Sequence, residues 1–322
     1  LPFLGNSMFD WKFSAAYAGR NEPENRSVTY LYNDNENRFE IDDSKKNNFW
    51  YRFLDEWTYV AQADFNVPFN LLRRDGSFKT GGRFRIRNRD FEAERWSLDK
   101  PTGKEGPDGN DVYALPPELL YTPENIGRSL VWQDNNSGGL PYTADENVFA
   151  GYAMLDLSPL RRLRLVGGLR AEVWDLEVRS GAATVVGDST KVQEPPQTRD
   201  VTDLLWSANA TLSLTDRMNL RAAAYRTVSR PDPREIARTV YSPVTGECEQ
   251  RGGPNITETG ITNGDFRWEW FPNPGELVSV GGFFKSFDEP YLASVAVFAR
   301  TCRFIPDNAE SAVSYGGELE VR

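Results

Sequence analysis

The chain has 322 residues, 39% of them hydrophobic, and a formal charge of −10. No apolar run approaches the ~18–20 residues of a membrane helix, which excludes a helical membrane protein, and the acidic balance argues against nucleic acid as a partner. His is absent, which removes the commonest metal ligand and the usual base near neutral pH, and no serine-nucleophile, phosphate-loop or Cys-pair metal motif is present; no enzyme activity, metal site or cofactor is expected.

Taken in chain order, ten segments read as strands: Phe9–Ala18, Trp57–Val67, Phe78–Arg89, Val148–Leu157, Leu163–Val178, Leu204–Leu214, Met218–Val228, Asp265–Phe271, Leu277–Phe287 and Val313–Val321. The clearest is Phe78–Arg89. Phe78, Thr80, Gly82, Phe84 and Ile86 share one face, with Lys79, Arg83, Arg85, Arg87 and Arg89 on the other. A helix would scatter those arginines around its axis, whereas a strand stacks them on one side. Trp57, Tyr59, Ala61, Ala63, Phe65 and Val67 face away from Thr58, Gln62, Asp64 and Asn66 in the same way. So do Leu163, Leu165, Leu169, Ala171 and Val173 relative to Arg164, Arg170 and Glu172, and Phe266, Trp268 and Trp270 relative to Asp265, Arg267 and Glu269. The last strand sets Leu319 and Val321 against Glu318 and Glu320. The Ala- and Gly-rich segments carry no clear facing.

The connections alternate in length. Short links fall at Asn70–Ser77, Ser158–Arg162, Thr215–Arg217 and Pro272–Glu276, rich in residues that supply turn angles. Long polar stretches run over Gly19–Glu56, Phe91–Asn147, Arg179–Asp203, Ser229–Gly264 and Asp288–Ser311. One architecture needs this alternation: an antiparallel transmembrane β-barrel, with short periplasmic turns, long extracellular loops and strands apolar on one face. Aromatic residues at 13%, nine of them Trp, suit girdles at the two membrane interfaces. The expected fold class is therefore all-β, a barrel fragment of about ten meandering strands, with residues 1–322 as one partial barrel domain truncated at both ends. Phe84, Ile86, Leu165, Leu169, Trp268, Trp270 and Leu319 are expected to point to lipid. Arg83, Arg85, Arg87, Arg170, Glu172, Arg267, Glu269, Glu318 and Glu320 are expected to point to the lumen.

Four stretches carry a family resemblance. Leu220–Pro231, with Arg226-Thr227-Val228-Ser229-Arg230-Pro231 and then Arg234-Glu235-Ile236-Ala237, is one, and Asn263–Lys285 is a second. Ala150–Leu155 with Gly167–Glu172 is a third, and Tyr315-Gly316-Gly317-Glu318-Leu319-Glu320 a fourth. Together they resemble the barrel portion of TonB-dependent outer-membrane receptors of the kind found in Bacteroidetes-like bacteria. The resemblance implies a bacterial outer-membrane location and energy-coupled uptake of a bulky nutrient, a metal chelate such as a ferric siderophore or an oligosaccharide. It further implies three partners: outer-membrane lipid, the nutrient ligand, and the TonB complex reached through a plug segment that has no counterpart in this sequence. A passive porin or structural outer-membrane barrel is the alternative, and a soluble β-rich binding module a third reading, disfavoured by the uneven connections.

Candidate functional residues follow from this frame. The ladder Arg83, Arg85, Arg87 and Arg89 either draws an anionic substrate into the lumen or, as the favoured reading, balances acidic lumen residues. Arg230-Pro231 is expected to end a strand, since proline cannot donate to a ladder. Trp268 and Trp270 fit an interface girdle better than a sugar platform. The loop Phe91–Asn147 is either a lid or a solvated excursion, and Tyr113, Tyr121, Trp132 and Tyr142 are its candidate ligand contacts. Cys248 and Cys302 lie in the loops after the seventh and ninth strands, on adjacent hairpins of an oxidising exterior. A disulfide is expected there, with Cα atoms within about 7 Å; two unpaired thiols, or a partner elsewhere, are the alternatives.

Overall fold

The computed structural model describes residues 7–42, 47–71, 74–100, 111–134, 141–181, 183–184, 191–192, 195–241, 248–298 and 301–322. Of the loop expected over Phe91–Asn147, residues 101–110 and 135–140 lie outside them, as do residues 242–247 ahead of Cys248. In chain order the first strands are β1 (Met8–Ser27), β2 (Tyr30–Asn33), β3 (Arg38–Ile41), β4 (Asn48–Leu71) and β5 (Arg74–Asp99). A 3-10 turn (Val112–Ala114) and the helix α1 (Pro117–Leu120) precede β6 (Val131–Asp134), β7 (Tyr142–Leu160) and β8 (Leu163–Ser180). Then come β9 (Ala183–Thr184), β10 (Lys191–Val192), β11 (Gln197–Thr215), β12 (Met218–Ser229), α2 (Pro233–Ile236), β13 (Val240–Tyr241) and β14 (Glu249–Arg251). The chain finishes with β15 (Thr259–Trp270), β16 (Val278–Asp288), β17 (Tyr291–Phe298), β18 (Thr301–Asn308) and β19 (Ser311–Val321).

One antiparallel sheet forms the wall, in the order β1-β4-β5-β7-β8-β11-β12-β15-β16-β19, with β6 added to the end of β5. These ten wall strands match the ten strand segments expected from the alternation, although β15 stops one residue short of Phe271 and β16 starts one residue past Leu277. Short links join Leu160 to Leu163 and Thr215 to Met218 at one end, while the long connections gather at the other. Register carries facing from strand to strand. Phe84 lies opposite Phe149, Phe149 opposite Val173, and Leu220 opposite Trp268, which in turn faces Val280 and then Leu319. One continuous face therefore holds Phe84, Leu169, Trp268, Trp270 and Leu319, and the other holds Arg87, Glu146, Arg170, Glu172, Arg267 and Glu318. The apolar face is bare: Trp11 is 70% exposed, Leu169 55% and Leu319 73%. A patch of that extent has no place on a water-soluble monomer. From Trp57 to Phe69 the apolar face of β4 covers about 40 Å of strand, which at a barrel tilt near 40° spans roughly 30 Å of membrane.

The strand ends differ from the sequence expectation. β1 continues to Ser27 and β4 begins at Asn48, well inside the stretch read as a loop, and β5 runs on to Asp99. Alternation is lost there because both faces are covered. On the apolar side Phe49 and Leu98 pack with Ile41, Val112, Leu120 and Leu130. On the charged side Trp50 and Ala93 pack with Val240. The consecutive Phe49-Trp50-Tyr51 thus serves two interfaces, and the strand shows no period of two.

The largest buried cluster also lies at the loop end, on the charged face. Tyr142, Ala144 and Val148 of β7 and Trp174, Leu176 and Val178 of β8 are covered by Ile236, Ala237 and Ile256. The covering segment, described over residues 230–241 and 248–258, follows β12 and lies over the inside of the wall. Its single helical turn is set by Asp232-Pro233-Arg234-Glu235. The Asp232 carboxylate accepts from the Arg234 N–H at 3.0 Å, and Glu235 accepts from the Asp232 N–H at 2.7 Å, with proline in the first turn. Burial of side chains such as Ile236 and Ile256 stabilises the fold by about 1.5–3 kcal/mol each.

Candidate functional site

The arginine ladder of β5 lies on the charged face beneath this covering segment. Register sets Arg87 beside Glu146 and Arg89 beside Glu56. Arg85 reaches Glu146 at 3.1 Å and Arg87 reaches it at 2.8 Å. Arg89 bonds Glu56 at 2.6 Å and Asp232 at 2.6 Å. Among the described residues Arg83, nearer the short-turn end, has no carboxylate partner. Glu146 also accepts from the Trp174 indole N–H at 3.0 Å, which fixes its place between two guanidinium groups.

A second ionic centre stands on Arg230, just past the end of β12. Its guanidinium bonds Glu172 of β8 at 2.7 Å, Asp203 of β11 at 2.6 Å and Glu258 at 3.4 Å, and lies 5.5 Å from the centre of the Trp174 ring. Arg230-Pro231 is expected to end a strand, and β12 does end at Ser229. The ionic role was missed. Part of its signal was present in the alternation, which puts Glu172 on the charged face, whereas Asp203, in direct register with it, fell in the stretch read as a loop. Burial, and then the neighbouring Asp203 carboxylate, push the Glu258 carboxyl up to about 7 against the pull of Arg230. Asp232 shows the opposite balance. Burial would raise it, but the Arg89 hydrogen bond and charge hold it below the usual carboxylate range.

Two loops meet over these centres. β13, β14, β18 and β17 form a four-stranded sheet in that order, in which β14 and β18 pair in parallel through Glu249 with Arg303 and Gln250 with Phe304. One step before each of those residues, Cys248 and Cys302 are joined as a disulfide, with Cα atoms 4.7 Å apart. Glu249 binds Arg303 at 3.2 Å and Arg95 of β5 at 3.6 Å, so the small sheet is tied to the wall. Arg199 of β11 adds donated hydrogen bonds to the carbonyls of Pro254 and Ile256.

The four aromatic candidates separate onto opposite faces. Tyr142 lies on β7 itself, on the charged face, 5.2 Å from the Phe91 ring, and its hydroxyl accepts from Arg89 at 3.3 Å. Tyr121 and Trp132 pack on Phe49, at 5.5 and 4.9 Å between ring centres, on the apolar side of the wall extension. Tyr113 joins the same cluster, its hydroxyl accepting from the Lys100 N–H at 2.7 Å. The structure thus brings Tyr142 to the arginine ladder and puts Tyr113, Tyr121 and Trp132 on the far side of the wall, where they pack with Phe49 of β4 and Leu98 of β5. Trp268 and Trp270 lie on the apolar face at the short-turn end.

Among the described residues no group of carboxylate or cysteine side chains could hold a metal ion. What the arrangement offers is a wall with one apolar face, a charged inner face and a cross-linked mouth. The family described as TonB dependent receptor-like, beta-barrel, matches residues 2–322. Among solved structures, the ferric-catecholate import receptor Fiu from E. coli K12 in its closed form aligns with 97% of this chain and 42% of its own, at 11% identity and a TM-score of 0.59. The unliganded ferric citrate transporter FecA aligns with 97% of this chain and 36% of its own, at 10% identity and a TM-score of 0.55. The chain therefore spans less than half the length of either. Among curated proteins no sequence matches it. The chain belongs to the TonB-dependent receptors of the bacterial outer membrane, and its ten wall strands are part of that family's β-barrel.

Proposed function

We propose that the receptor to which this barrel belongs takes up an anionic metal chelate, in a step driven through TonB. In this reading the apolar face meets outer-membrane lipid and the charged face lines a wet lumen. The observation that carries the choice of cargo is the foot of the ladder Arg83–Arg89 below the mouth: Arg85, Arg87 and Arg89 are paired with Glu146, Glu56 and Asp232, which leaves Arg83 to meet an anion, on a chain whose formal charge is −10. Its lowest member, Arg83, is exposed and without a carboxylate partner among the described residues. Guanidinium groups concentrated on one inner surface raise the local concentration of anions. Fiu imports a ferric catecholate and FecA ferric citrate, both built on anionic ligands, and both share this fold. An oligosaccharide cargo would call for aromatic platforms, and three of the four loop aromatics lie on the other side of the wall.

The test is uptake of radiolabelled ferric citrate and of a ferric tris-catecholate by cells making the full-length protein, with and without TonB. Accumulation that requires TonB is the expected result. Entry that is independent of TonB would return the passive-pore alternative, and transport restricted to oligosaccharides would overturn the choice of cargo.

A further inference from the structure

The mouth holds a cavity of about 390 Å³ between the two loops that the disulfide joins. That volume lies within the range of small-molecule sites. The loop after β12 supplies its polar lining, with Arg234, Gln250 and Arg251, and the loop after β16 supplies apolar surface, with Phe304 and Pro306. The floor is backbone against backbone. Gly252 lies so close to the Ala237 carbonyl oxygen that any Cβ would overlap it, and its N–H donates to the Thr239 carbonyl at 3.2 Å. At Gly252 the floor of the cavity is thus set by main chain, and side chains form the rest of its lining.

Its charge favours an anion. Arg251 is exposed and has no carboxylate partner among the described residues, and Arg234 adds a second cation. The one carboxylate in the lining, Glu235, accepts a hydrogen bond from the Asp232 N–H at 2.7 Å. Guanidinium groups recognise planar carboxylate and phenolate oxygens through paired donors. An aromatic ring and a proline beside them suit the flat apolar body of the same ligand.

Beside the cavity the two linings meet through a two-residue ladder, Glu249 with Arg303 and Gln250 with Phe304, and so short a ladder is marginal in isolation. The Thr257 N–H, which donates to the Asn308 side chain at 2.8 Å, joins the same two loops farther along. The Cys248–Cys302 bond immediately precedes both pairs. We propose that this cavity docks an anionic aromatic group of the cargo, and that the disulfide keeps its polar and apolar linings in register. The proposal rests on the receptor reading above and assigns its ligand contacts.

The experiment uses the full-length receptor in detergent, titrated by tryptophan fluorescence with ferric tris(2,3-dihydroxybenzoate), and with ferric citrate as a non-aromatic anion. Arg251→Glu should weaken both complexes by roughly tenfold or more, and Phe304→Ala the catecholate complex alone. Cys248→Ser with Cys302→Ser should match the Phe304→Ala loss or exceed it, while the barrel keeps its heat-dependent gel shift. Affinities of all these variants within about twofold of the parent protein would overturn the proposal, as would a parent protein that binds neither chelate. Failure of the receptor reading is seen separately, as iron entry that does not depend on TonB in cells carrying the unaltered protein.

Discussion

The Arg89 guanidinium of β5 bonds the Asp232 carboxylate at 2.6 Å across 143 positions of sequence. Arg89 belongs to the wall and Asp232 caps the helical turn of the segment that covers it. The pair therefore latches the mouth to the inner face, and Arg230 does the same from the other side through Glu172 and Asp203.

Removing one partner should loosen the latch. In Asp232→Asn the buried Arg89 keeps Glu56 but loses its second carboxylate, and the first turn of α2 keeps only part of its cap. Asp232 retains 41% side-chain exposure, so the expected cost is at the low end for a broken buried pair, about 1–3 kcal/mol of local docking stability. Hydrogen exchange at Ile236 and Ala237 should accelerate accordingly, with the wall strands unchanged. Unchanged exchange at both positions would mean the pair holds nothing.

Docking of the covering segment should weaken both above and below a mildly acidic range. Glu258 has a folded value of about 7 against an ordinary 4.5, so between those values the folded state holds the extra proton and stability falls as pH rises. Asp232 is shifted down, so its contribution is present above the ordinary carboxylate value and is lost as pH falls below it. Protection of Ile256 from exchange, measured from pH 3 to 8.5 and corrected for intrinsic exchange, should be greatest near pH 4–4.5, roughly at the ordinary carboxylate values, and fall on either side. Glu258→Gln should abolish the decline toward pH 8, leaving Arg230 with Glu172 and Asp203. A decline unchanged in that variant would assign it to another group.

Two glycines in adjacent strands should respond oppositely to alanine. A Cβ on Gly81 would fall 2.5 Å from the Ala63 carbonyl oxygen, 2.6 Å from an Asp64 carboxylate oxygen and 2.9 Å from the Tyr152 ring, whose hydroxyl bonds Asp64. Nothing lies within 4 Å of a Cβ on Gly151. Gly81→Ala should destabilise the full-length barrel to urea by about 1–3 kcal/mol, and Gly151→Ala should be neutral within about 0.5 kcal/mol. Equal midpoints for the two variants would show that the close approach of Tyr152 is not a constraint.

The wall was legible wherever one face meets apolar surroundings and the other does not, as at Phe78–Arg89 and Leu163–Val173. It was illegible at Asn48–Asp55 and Phe91–Asp99, where loops cover both faces and Trp50 is buried on one side while Phe49 is buried on the other. The proximity of the Cys248 and Cys302 loops could be inferred from hairpin order alone. The sides taken by Tyr113, Tyr121 and Trp132 could not. Loop residues carry no period, and their packing on Phe49 depends on a strand extension that the pattern hides. Arg230 is intermediate, since its partner Glu172 is visible on the inner face but Asp203, Glu258 and the bend that delivers Arg230 are not.

Sidedness tests the account most directly, because the cargo reading, the latch and the mouth cavity all require the arginine face to be wet. Spin labels placed one at a time at Leu169→Cys and Arg83→Cys, in the full-length protein in lipid, report access to oxygen and to a water-soluble nickel chelate. The label at 169 should be relaxed by oxygen and shielded from nickel, and the label at 83 should show the reverse. Oxygen access at 83 with nickel access at 169 would contradict the assignment of the two faces and everything built on it.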